Sequence, residues 1–164
     1  MHSPRIKPCI FSLDNSLIDV LVEEYQNFNI YWFHWPRDGV YYKEQDYEPV
    51  IIIYDRDGQI CYLIIRRGWG YKQYSVKDIL LPPQVMFDPV QHHPYVRTKK
   101  IKWAWNASEE VRQLIHIEYT PSSAAADTIP TKFRTGEGHE SSNFRAVSRD
   151  PIDEATERHQ QFCS

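Results

Sequence analysis

Two acidic residues stand two positions apart in Asp46-Tyr47-Glu48, immediately before the run Pro49-Val50-Ile51-Ile52-Ile53-Tyr54. Side chains two apart share a face of an extended chain, so Asp46 and Glu48 would present their carboxylates side by side. Such a pair can hold a hard divalent cation, which takes oxygen ligands, or divide the roles of general acid and base. Imidazoles are on offer in Asp88-Pro89-Val90-Gln91-His92-His93-Pro94, where the prolines stiffen the loop and reduce the entropy lost in holding ligands. Adjacent histidines in an extended loop point to opposite sides, so His92 or His93, but not both, is expected to join one ion. His34 and His116 could be added only by folding. The HExxH, HxH and CxxC patterns are absent, which leaves Asp46, Glu48, His92 and His93 as the candidate metal ligands. The competing reading is a solvated strand start and an ordinary loop.

A second constellation is basic. Residues 66 to 102 carry eight Lys and Arg against two Asp, a balance of +6, whereas residues 1 to 65 carry five against ten acids, a balance of −5. Arg66, Arg67, Lys72, Lys99, Lys100 and Lys102 interleave with Trp69 and Tyr71. Cations that meet phosphates beside flat rings that meet bases are what a single nucleic-acid strand requires. Alternatively the two segments neutralise each other while the aromatics fill the core, and a sequence pI of about 6.1 is acidic for a nucleic-acid domain. Nucleophilic chemistry has no motif here: GxSxG is absent, and Gly68-Trp69-Gly70 lacks the rest of a phosphate-cradling loop.

The elements that must position these groups read as a mainly antiparallel, β-rich α+β fold. Leu13, Leu17, Val20, Leu21, Tyr25 and Phe28 recur at helical spacing and predict an N-terminal amphipathic helix. Val50 to Asp55 and Gln59 to Arg67 flank Arg56-Asp57-Gly58, a hairpin whose glycine supplies positive φ. Apolar residues on both alternations of that hairpin predict cover on both faces and a central place in the sheet. A second hairpin is expected from Lys99 to Trp105 and Val111 to Tyr119, with shorter strands near Tyr31 to Trp35, Tyr71 to Val76 and Val85 to Phe87. All five tryptophans and all eleven tyrosines lie at or before Tyr119. The domain is therefore expected to span residues 1 to 119, with 120 to 164 a polar, low-complexity tail too poor in apolar surface to fold alone, save a short helix around Ile152 to Gln161.

At 164 residues, 41% apolar and 25% charged, the chain has the composition of a globular protein with one modest core. No apolar run approaches the roughly 18 residues a membrane helix needs. The first residues lack a secretory h-region, and three widely spaced cysteines, Cys9, Cys61 and Cys163, suggest no disulfide framework. Cys61 reads as a small buried hydrophobe. These features together predict a cytoplasmic protein without a membrane partner.

The run from Asp46 to Ile53, the Asp57-Gly58 turn, Gly68-Trp69-Gly70-Tyr71, Pro83-Gln84-Val85-Met86-Phe87 and His92-His93 resembles the necrosis-inducing-type proteins over about residues 42 to 97. In that family an Asp-Trp-Glu signature opens a β-sandwich strand and, with preceding histidines, holds a divalent cation. The resemblance implies a sandwich-like fold and Asp46 and Glu48 as cation ligands. Lys43, Glu44 and Gln45 stand where the family carries histidines, so only half of the metal site is implied. Without a secretion signal or a plausible cysteine pair, a secreted toxin role is not implied.

Three readings of function follow. The first is a non-catalytic interaction protein that docks a protein partner through its aromatic and basic surface and its tail. The second is a divalent-cation-binding domain or hydrolase built on Asp46 and Glu48 with His92 or His93. The third is a single-stranded nucleic-acid binder using residues 66 to 102. The only cofactor the residues point to is a divalent cation.

Overall fold

A computed structural model describes residues 5–36, 46–67, 70–88, 92–100, 113–136 and 149–163. Ten strands form two sheets. β1 (Cys9–Ser12), β7 (Gln84–Phe87), β8 (Pro94–Val96) and β9 (Ile115–Ile117) make a four-stranded sheet in the order β8-β7-β1-β9. The larger sheet contains β2 (Asp19–Glu24), β3 (Phe28–Trp35), β4 (Asp46–Tyr54), β5 (Ile60–Arg67), β6 (Gly70–Ser75) and β10 (Ser122–Ser123), in the order β10-β2-β3-β4-β5-β6. Pairing is antiparallel except for β1 with β7 and β10 with β2.

The hairpin of β4 and β5 forms where its apolar runs and turn glycine place it. Gly58 has φ 78°, and Asp55 accepts from the turn through its side chain and its carbonyl. Alternation then divides the strands between two cores. Val50, Ile52 and Tyr54 of β4 meet Ile10, Val85, Phe87 and Val96 of the smaller sheet. Ile51 and Ile53 face the other way, onto Ile129, Phe133, Ala155 and Cys163. The larger sheet is thus covered on both faces, and every residue of β3 is buried.

The expected N-terminal helix over Leu13 to Phe28 does not form. Asp14 accepts from the amide and hydroxyl of Ser16, turning the chain after β1. From Asp19 the residues alternate as a strand, with Val20 and Val22 in the inter-sheet core and Glu23 on the opposite face. The leucine spacing is real, but β-branched valines and a full antiparallel ladder onto β3 outweigh it.

The segment after residue 120 is also not the low-complexity tail expected, because the domain's own sheet orders its described parts. β10 adds to β2, and α1 (Thr131–Arg134) and α2 (Pro151–Phe162) pack on the outer face of the larger sheet. The helix expected near Ile152 to Gln161 is α2. Asp150 caps it by accepting from the Ile152 amide at 2.8 Å, and Pro151 occupies its first turn.

Cys61 is not a lone buried hydrophobe either. It is disulfide-bonded to Cys163, 102 residues away, which pins the end of α2 to β5. Sequence spacing carries no trace of a pairing that folding alone creates. Of the second expected hairpin, β9 is present and pairs with β1. Residues 101–112 lie outside the described residues.

Candidate functional site

Asp46 opens β4 opposite Trp35, and Glu48 lies opposite Phe33. The alternation that sends Val50 and Ile52 between the sheets sends Asp46 and Glu48 to the same side at the strand's beginning. Each is only 2% exposed. Asp46 Oδ2 and Trp35 Nε1 are buried and meet no hydrogen-bond partner among the described residues. Native proteins pair nearly all such atoms, and an orphaned one on a carboxylate marks a place for an ion or ordered water.

Asp88, His92 and His93, the described residues between β7 and β8, lie at this end. The Asp88 carbonyl accepts from the His92 amide at 3.1 Å, the Asp88 amide donates to the His93 carbonyl at 3.2 Å, and Asp88 Oδ2 accepts from the His93 amide at 3.0 Å. His92 itself sits at φ 54°, the left-handed region few non-glycine residues adopt. Its ring lies flat on Trp35, with centroids 4.4 Å and planes 5° apart. His92 is buried and His93 half-buried, so the pair divides as adjacent histidines should. Folding brings His92 against Trp35, the register partner of Asp46. Among the described residues, however, no group of three or more His, Cys, Asp and Glu side chains is placed to hold a metal. Asp46 and Glu48 thus share one side of β4, and His92 stacks on Trp35 beside them.

The histidine nearest in the sheet serves the other face. His34 Nδ1 lies 3.0 Å from Asp19 Oδ1, and its ring stacks on Tyr47 at 4.1 Å. Burial, with Asp19 adding to it, pushes the Tyr47 hydroxyl above its ordinary pKa.

Sequence reasoning missed a second buried polar cluster, built on Glu23. Its carboxylate accepts from Trp32 Nε1 at 2.5 Å, from the Tyr25 hydroxyl at 2.6 Å, and from Arg134 Nη1 and Nη2 at 2.5 and 3.2 Å. Arg134 also donates to both oxygens of Asp150, at 2.8 and 3.1 Å. Burial works against the Arg134 charge, but the hydrogen bonds it donates to Asp150 and Glu23 outweigh it and hold the pKa above the ordinary arginine value. Burial and the bond to Glu23 raise the Tyr25 hydroxyl in turn. A glutamate beside another in an alternating strand gave no signal of this, since its partner lies 111 residues away.

Among the described residues, the basic and aromatic side chains of this set do not share one surface. Arg66 is 3% exposed, and its guanidinium donates to the carbonyls of Arg134, at 2.8 Å, and Phe133. Tyr71, its register partner, donates to the Arg149 carbonyl at 2.6 Å beneath the same helical layer. Arg67 lies over the Tyr95 ring at 4.2 Å, on the side facing the smaller sheet. Lys72, Lys99 and Lys100 are exposed. Trp69 and Lys102 lie outside the described residues.

At the far end of β4 a polar groove of about 1000 Å³ is lined by Arg5, Lys7, Glu24, Asp55 and Arg56 among others. Arg5 is engaged there by the carbonyls of Tyr25 and Gln26 and by Asn29 Oδ1, and Lys7 by the Tyr119 carbonyl. Two of the groove's cations therefore tie the N-terminal segment down.

Fold and site together define a two-sheet β domain with a helical outer layer and a buried carboxylate pair at one end. No family model and no curated protein matches the chain. Solved structures that it resembles include NLPPya in complex with mannosamine, at TM-score 0.49 and 12% identity over 97% of this chain and 87% of that one. NLPPya in complex with glucosamine gives 0.48 and 13% over 97% and 86%. A structure described as a toxin fold for microbial attack and plant defense gives 0.43 and 14% over 95% and 68%. These are toxin-fold proteins of the necrosis- and ethylene-inducing type, the kind that the run from Asp46 to Ile53 resembles. Any function of this chain rests on its own residues.

Proposed function

We propose that this chain is a divalent-cation-binding domain, with the carboxylates of Asp46 and Glu48 as its protein ligands and water completing the coordination. The observation that supports this reading is the Asp46 carboxylate, 2% exposed, with Oδ2 buried and unpartnered among the described residues. Two carboxylates brought together away from water repel each other, and a divalent ion offsets both charges at once. Oxygen donors favour a hard cation of the Mg²⁺, Ca²⁺ or Mn²⁺ type over a thiophilic one. When bound, the ion would supply positive charge to an oxygen-bearing ligand at the end of the sandwich. Trp35 and His92 wall the site and limit water access.

Docking of a protein or a nucleic-acid strand through residues 66 to 102 has less to stand on, since Arg66 and Tyr71 are committed to the helical layer. Among the described residues no helix is long and apolar enough to cross a membrane. The Cys61–Cys163 bridge favours a non-reducing compartment over the cytoplasm expected from the cysteine count.

The test is calorimetric titration of the chelator-treated full chain with Mn²⁺, Mg²⁺ and Ca²⁺, alongside Asp46→Asn and Glu48→Gln. One saturable site in the parent, weakened at least tenfold in each variant, supports the reading. Absence of binding in the folded parent, or equal binding in Asp46→Asn, overturns it.

A further inference from the structure

The grip of α2 on the sheet changes along its length. In its first half, Pro151, Glu154 and Ala155 are buried, and Ile152 packs against the outer core. Glu154 accepts from Gln73 at 3.1 Å and from Arg149 at 2.7 Å, while Asp150 is joined to Arg134. After Ala155 the pattern differs. Every residue from Thr156 to Phe162 is half-buried or exposed, and only Cys163 is buried again. Phe162 stacks on Tyr62 at 4.9 Å but is 44% exposed. Arg158 bonds within the helix, to Glu154 and Gln161. Among the described residues, Glu157 pairs with Arg149 ahead of the helix, and the contacts that tie the last two turns to the sheet include the Cys61–Cys163 bond and the partly exposed Phe162 ring.

A helix of this length is marginal by itself, and the end of a helix without tertiary packing frays. We propose that the Cys61–Cys163 bond is a cleavable latch, a thiol–disulfide exchange site at which a dithiol reductant releases the last two turns of α2. Cys61 is half-buried, so its sulfur side is not sealed within the core. A thiolate of the dithiol attacks one sulfur, forming a mixed disulfide as the protein S–S bond breaks. The second thiol of the dithiol then resolves the mixed disulfide. Two electrons and two protons pass to the protein, leaving two cysteine thiols and one oxidised dithiol. The Glu23, Arg134 and Asp150 cluster keeps the first half of α2 in place, so the helix hinges near Ala155 and uncovers Tyr62 on β5. This inference is independent of the cation reading.

The experiment is amide hydrogen exchange with mass spectrometry on the full chain, with and without dithiothreitol, in native buffer. Alkylation in denaturant first establishes the state: one reactive thiol, Cys9, before reduction and three after it. Residues 156–163 are expected to exchange at least tenfold faster on reduction, whereas β3, β4 and residues 151–155 keep their protection. Cys163→Ser should reproduce that pattern without reductant, and Cys61→Ser should match it. Three reactive thiols in the protein as isolated from an oxidising host would overturn the latch. So would unchanged protection of residues 156–163, or a rise spread evenly over the whole chain, which would make the bridge a global staple.

Discussion

Two buried carboxylates of the larger sheet, Glu23 and Asp46, are 1% and 2% exposed, yet one is finished and the other is not. Glu23 accepts from an indole, a phenol and both ends of a guanidinium. Asp46 keeps a buried oxygen without a partner among the described residues. On the cation reading, the difference separates an internal knot from a binding site. Where the chain supplies the counter-charge, the carboxylate anchors structure, as Glu23 anchors the helical layer through Arg134. Where a buried carboxylate oxygen lacks a partner among the described residues, the proposed cation would supply one.

The sharpest way to break the comparison is to make Glu23 resemble Asp46. Arg134→Ala leaves Glu23 buried without its counter-charge and is expected to destabilise the fold by about 3–5 kcal/mol, measured by urea unfolding. Adding Glu23→Gln should recover part of that loss, because the stranded charge is gone. If the double variant is no more stable than Arg134→Ala, the knot reading fails.

The complementary test finishes Asp46. A cation at 100 times its Kd should stabilise the parent by about 2.7 kcal/mol, and Asp46→Asn by no more than about half of that at the same concentration. Without added cation, Asp46→Asn should be at least as stable as the parent, because an amide is less costly to bury than an unpaired charge. A clear loss of stability there would mean that Asp46 already has its counter-charge.

The smallest effect lies in the outer layer. Burial pushes the Tyr71 hydroxyl up to about 12, so its neutral form favours the folded state. That contribution is complete below about pH 10, the ordinary tyrosine value, and is lost as pH rises through about 12. Tyr71→Phe should flatten the fall in stability over that interval, measured by urea unfolding at a series of pH values. An unchanged slope would detach Tyr71 from the layer's anchoring.

Much of the sheet was legible because its signals are local. The hairpin of β4 and β5 announces itself through consecutive β-branched residues about one turn glycine, and α2 through Asp150 and Pro151 ahead of its first turn. The pairing of Asp46 with Glu48 followed from a period of two. Leu13 to Phe28 misled because leucines four apart fit a helix, while the ladder that makes Asp19–Glu24 a strand is supplied by β3. His92 was legible as a candidate but not as a wall, since its stacking on Trp35 joins residues far apart in sequence.

By itself the sequence determined which residues alternate, where the chain turns, and that two carboxylates share one face. These follow from bond geometry and side-chain periodicity, which act over a few residues. Tertiary structure alone decided that Glu23 meets Arg134, that Cys61 meets Cys163, and that a polar tail becomes a third layer. Each of those contacts joins residues about a hundred positions apart, and the burial that makes them favourable exists only once both sheets have closed on their cores.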